Sequence, residues 1–88
     1  MNEKKILITI PTYNEGLIIE KVISEINTIF KKVDILVIDA YSTDETYKQV
    51  KKNVANIIQI DKIFGIGLAI ETGILFANKN DYDFLVRI

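Results

Sequence analysis

The sequence predicts an α/β fold with helices on both sides of a parallel four-stranded sheet. Two observations predict it. Short, nearly continuous apolar runs recur along the chain, as strands buried on both faces require. Segments of helical periodicity alternate with them in the order βαβαβαβ, which implies parallel pairing with right-handed crossovers.

The first strand is the run Ile6 to Ile10, stopped by Pro11. From Glu15 to Phe30, Ile18, Val22, Ile26 and Ile29 recur at helical spacing. Asn14 or Thr12 is placed to cap that helix, and Glu15 sits in its first turn. The second strand is Ile35 to Ile38, ending at Asp39. Ser42 and Glu45 have capping-box spacing and open a helix carrying Tyr47, Val50 and Val54 on one face. A third strand spans Asn56 to Ile60. Gly65 and Gly67 introduce a third helix to about Asn78, Asn80 and Asp81 form a turn, and Asp83 to Ile88 is the fourth strand. The third helix carries Leu68, Ala69, Ile70, Ile74, Leu75, Phe76 and Ala77. A helix apolar on most sides needs burial on most sides. With the fourth strand left as an edge, this predicts exposed apolar surface and a homo-oligomer.

The 88 residues suffice for one small domain, and 49% hydrophobic with 26% charged residues is a globular composition. A net charge of -1 argues against a nucleic-acid partner. The chain has no cysteine and no histidine, which excludes disulfides, cysteine zinc sites and every Ser-His or Cys-His nucleophile. No secretory signal and no membrane-spanning run is visible, so the expected compartment is cytoplasmic.

Ligands of open parallel sheets bind at the carboxyl ends of the strands, so the residues after each strand are the candidates. After the first stand Pro11, Thr12, Tyr13 and Glu15. They offer a rigid turn, an aromatic face for a base and a carboxylate for ribose or base N–H groups; a plain strand-to-helix turn is the competing reading. Asp39 ends the second strand, where it accepts hydrogen bonds either from a nucleotide or from its own turn. After the third strand, Gly65 and Gly67 either let backbone approach a phosphate, with Lys62 adding charge, or let helix and sheet pack closely, a reading that applies equally to Gly73. The third glycine of a dinucleotide fingerprint is missing, because position 70 is Ile70. Arg87 is either a phosphate contact or a solvated strand-end charge. A receiver-like domain would carry acidic residues where Pro11-Thr12-Tyr13 stand.

In series, ILITIPTYNEG, DILVIDAYSTDET, GIGLAIETGILFA and DYDFLVRI resemble family 2 glycosyltransferases, especially the dolichol-phosphate-mannose-synthase-like branch. The resemblance covers essentially the whole chain. It implies the nucleotide-binding, Rossmann-like half of a three-layer GT-A fold. Residues 1–88 would form the N-terminal nucleotide-sugar-binding part of the domain, ending before the Asp-x-Asp motif expected after Ile88. Pro11, Tyr13 and Glu15 would line the base and ribose pocket, supported by Asp39. Ala40 and Tyr41 replace the second acid and the glycine of the family's Asp-Asp-Gly, which leaves the base contact absent or supplied by Tyr41. The implied function is transfer of a sugar from a nucleotide-diphosphate donor to an acceptor such as a polyprenyl phosphate, at the cytoplasmic face of a membrane. Mg²⁺ or Mn²⁺ would serve the full-length parent, with none bound by this chain. On this reading the 88 residues alone are inactive; the alternative is a non-catalytic nucleotide-binding or self-associating module.

Overall fold

A computed structural model describes residues 3–53 and 55–88. Its elements are β1 (Ile6–Thr12), α1 (Gly16–Ile29), β2 (Val33–Asp39), α2 (Thr46–Lys52), β3 (Asn56–Gln59), a 3₁₀ turn (Lys62–Phe64), α3 (Gly65–Lys79) and β4 (Phe84–Arg87). The four strands form one parallel sheet in the order β3-β2-β1-β4.

The continuous apolar runs of β1 and β2 are explained by two cores. Ile8, Ile10, Ile35 and Val37 face α1 and α2, packing with Ile19, Ile23, Ile26 and Val50. Leu7, Leu36 and Ile38 face the opposite side, with Ala69 and Ala77 of α3. Successive side chains of a strand point to opposite faces, so both sets must be apolar. At Gly73 α3 approaches the sheet closely: a Cβ there would lie 3.1 Å from Thr9 Cγ2. Close packing is thus the role of this glycine.

Pro11 does not end β1, which runs on to Thr12 with Pro11 opposite Ile38. In a parallel strand, a residue's N–H and C=O face the same neighbour. Thr12 O accepts from Ala40 N on the β2 side and Thr9 O from Ile88 N on the β4 side, each at 3.0 Å. Pro11 shares the orientation of Thr9, beyond the last β1–β4 pair, Thr9 and Arg87. Its missing N–H therefore breaks no rung of the ladder.

Of the predicted stripe on α1, Ile26 is buried and Val22 packs against the core, whereas Ile18 and Ile29 are exposed and Ile19 and Ile23 complete the buried face. The segment carries apolar residues in two helical phases, and packing on the sheet selects one. Neither Asn14 nor Thr12 caps α1; Glu15 occupies the N-cap without a side-chain bond. The capping box at Ser42 and Glu45 is also absent. Asp44 Oδ1 accepts the Thr46 N–H at 2.9 Å, while Ser42 turns back to Asp39. On α2, Val50 is fully buried and Tyr47 half-exposed; Val54 lies outside the described residues.

At the opposite end of the sheet Tyr82 ties β4 to β2, its hydroxyl donating to Asp34 Oδ2 at 2.5 Å. Burial, then this bond, pushes the phenol up to about 12. The sheet-facing side of α3 consists of Ala69, Gly73 and Ala77, whereas Ile66, Ile74 and Leu75 are exposed. Phe84, Val86 and Ile88 are exposed as well. No helix of the described residues is long and apolar enough to cross a membrane.

Candidate functional site

The carboxyl ends of β1, β2 and β3 and the start of α3 enclose a cleft of about 290 Å³. Pro11, Thr12, Tyr13, Glu15, Lys62 and Gly65 line it, together with Ile38, Ala40, Ile60, Ile66 and Ala69. Sequence periodicity gave no sign of the apolar wall formed by Ile38, Ile60, Ile66 and Ala69, because each of these also suits a core position.

Tyr13 and Lys62 meet across this cleft. Lys62 Nζ donates to Tyr13 Oη at 3.0 Å and lies 4.6 Å from the ring centroid. The hydrogen bond to Tyr13 is the main cause that holds the ammonium above the usual lysine range. Lys62 belongs to a 3₁₀ turn absent from the sequence-based reading, in which Asp61 Oδ1 accepts the Ile63 N–H at 3.0 Å. Gly65 follows at φ +64° and ψ -162°, a backbone region that is essentially glycine-only. A Cβ at Gly65 or Gly67 would meet nothing within 4 Å, so neither is needed for close packing.

Asp39 stands behind the cleft and is fully buried. Its carboxylate accepts from Thr12 Oγ1 at 2.7 Å, Ser42 Oγ at 2.5 Å, Ser42 N at 2.9 Å and Gln59 Nε2 at 3.3 Å. Burial pushes its pKa upward, but the hydrogen bonds from Ser42, Thr12 and Gln59 outweigh that and hold it below the usual carboxylate range. These four bonds account for its lone pairs, so Asp39 shapes the pocket from behind while Ala40 faces the space. Tyr41, at φ +50°, is exposed and outside the cleft lining, as is Arg87.

The start of α1 is sealed by the loop after β2. Asn14 N donates to Ser42 Oγ at 2.8 Å, Glu15 N to Thr46 Oγ1 at 2.9 Å and Gly16 N to Asp44 Oδ2 at 3.1 Å. With these N–H groups satisfied and the Asp44 carboxylate beside them, this helix end repels an anion instead of seating one. The bond from Thr46 and those from the backbone N–H groups outweigh desolvation and keep Asp44 below the usual carboxylate range.

Among the described residues no group of three or more His, Cys, Asp or Glu is placed to hold a metal ion. The lining of the cleft carries one carboxylate, Glu15, which by itself does not make a cation site.

The family model described as glycosyl transferase family 2 matches residues 7–86. Among solved structures, the chain is similar to glucosyl-3-phosphoglycerate synthase from Mycobacterium tuberculosis in complex with uridine diphosphate. That match has 31% identity, a TM-score of 0.57, and covers 64% of this chain and 21% of that one. The same enzyme in complex with Mn²⁺, uridine-diphosphate-glucose and phosphoglyceric acid matches at 31% identity and a TM-score of 0.56, over the same shares. The chain thus spans about a fifth of that enzyme's length. No curated protein matches it.

Proposed function

Because the chain belongs to glycosyl transferase family 2, we propose that its cleft takes the nucleotide of a nucleotide-sugar donor, whose sugar the whole protein transfers to an acceptor. The observation that carries this reading is the convergence of Tyr13, Glu15 and Lys62 on one cleft at the carboxyl ends of the strands. In it the Tyr13 ring stacks on the base, and the Glu15 carboxylate accepts from ribose hydroxyls or base N–H groups. Lys62 faces the phosphates, Pro11, Thr12 and Gly65 supply walls, and Asp39 acts as a support. The uridine diphosphate and uridine-diphosphate-glucose bound by the mycobacterial enzyme support a nucleotide as the ligand.

The proposal extends to the whole protein as a member of the dolichol-phosphate-mannose-synthase-like branch, with a polyprenyl phosphate acceptor at the cytoplasmic face of a membrane. Mg²⁺ or Mn²⁺ is part of it, supported by the Mn²⁺ of the mycobacterial enzyme.

Titration of this chain with UDP and GDP is expected to give saturable binding to at least one of them. Tyr13→Ala should weaken it roughly tenfold, the value of one base–aromatic stack. No binding of either nucleotide, or wild-type affinity in Tyr13→Ala, overturns the reading.

A second reading, a self-associating module, is favoured by the exposed Phe84, Val86, Ile74 and Leu75. The 88 residues are expected to self-associate in sedimentation and to transfer no sugar from a radiolabelled donor. A strict monomer at high concentration, or metal-dependent transfer, overturns the corresponding part.

A further inference from the structure

Asn14 does not line the cleft, yet it joins the two loops that shape it. It has φ +51°, a left-handed conformation that asparagine tolerates better than most side chains. Its Oδ1 accepts the Thr43 N–H at 2.8 Å, and its own N–H donates to Ser42 Oγ at 2.8 Å. Ser42 Oγ in turn donates to Asp39 Oδ1, which also receives the Thr12 hydroxyl. A chain of hydrogen bonds therefore runs from Thr12 through Asp39 and Ser42 to Asn14, and Tyr13 is the one residue between its two ends on the first loop. The backbone on both sides of Tyr13 is held from the second loop, while its ring projects toward Lys62, 49 residues away in sequence.

We propose that Asn14 is a positioning residue for nucleotide binding, acting through Tyr13 by latching the first loop onto Ser42 and Thr43 of the second. The inference rests on the nucleotide reading of the cleft. The left-handed turn aims the aromatic ring, and the latch keeps the turn from relaxing when the cleft is empty. Without it, the ring must be ordered at the expense of binding affinity.

The test uses this chain with UDP and GDP as probes, read by calorimetric affinity alongside thermal midpoint. Asn14→Gly keeps the left-handed turn accessible but removes the bond to Thr43. Ser42→Ala removes the partner of the Asn14 N–H, and Ser42→Thr retains a hydroxyl. Asn14→Gly and Ser42→Ala are expected to weaken binding roughly tenfold each, with Ser42→Thr within about threefold of wild type. Ile23→Val, in the core remote from the cleft, should lower the midpoint without changing affinity. Wild-type affinity in both Asn14→Gly and Ser42→Ala overturns the inference alone. So does a loss of affinity that follows the thermal midpoint in every variant, Ile23→Val included. Absence of binding by the wild-type chain overturns the nucleotide reading and the inference with it.

Discussion

Replacing Asp39 with alanine is expected to destabilise the fold by about 3 kcal/mol and to loosen the cleft, as measured by urea unfolding at neutral pH. The carboxylate is fully buried and is the common acceptor for Thr12, Ser42 and Gln59. Its removal leaves the hydroxyl of the buried Thr12 without the acceptor it now has and releases the loop at Ser42. Asp39→Asn removes the charge at nearly constant volume and sets an amide donor against groups that now donate to the carboxylate.

The pH dependence follows from the direction of the shift. The pKa of Asp39 is lowered in the folded chain from 3.8, so its ionised form contributes stability above that value. The contribution is lost as pH falls below 3.8 and through the lower folded-state value. The stability gap between wild type and Asp39→Asn should therefore be wide at about pH 7 and narrow steadily below about pH 4. A gap that stays constant across that range would show that the charge of Asp39 is immaterial.

The second large effect is expected at Gly16. A Cβ at this position would stand 2.9 Å from Thr46 N and 3.1 Å from the Glu45 carbonyl carbon, both backbone atoms that cannot rotate away. Gly16→Val should destabilise by about 3 kcal/mol or more, because α1 and α2 must separate and the Asp44 bond to Gly16 N is lost with them. Gly67→Ala is the matched control. Nothing lies within 4 Å of its added methyl, and alanine is the better helix former, so stability should rise by up to about 1 kcal/mol. Equal unfolding midpoints for the two variants would refute the close approach of the helices at Gly16.

Much of the architecture is legible in the chain itself. A strand whose residues are apolar at consecutive positions, as in Leu7, Ile8, Leu36 and Val37, must be covered on both sides, and alternation with helices makes the sheet parallel. Tyr13, Glu15 and Lys62 are legible as candidates because they follow strand ends. What defeated local reading was competition for the same polar groups. Ser42 has the spacing of a helix cap, but the buried Asp39 claims its hydroxyl and its N–H. Glu45 takes the N-cap of α2 without a side-chain bond, and Asp44 before it accepts the Thr46 N–H and serves Gly16 from across the loop. Ile18 and Ile29 share helical spacing with the buried Ile26, as Ile19 and Ile23 also do, and periodicity cannot rank two overlapping phases of similar hydrophobicity.

By itself, then, the sequence determined which segments become strands and helices, their parallel pairing and which residues follow the carboxyl ends of the strands. These follow from periodicity and steric preference acting over a few residues. Only the tertiary structure decided which helical face is buried, that Asp39 supports the cleft from behind, and that Lys62 meets Tyr13. Each of these depends on where groups dozens of residues apart come to lie once the sheet has formed, and a short-range pattern holds no record of that distance.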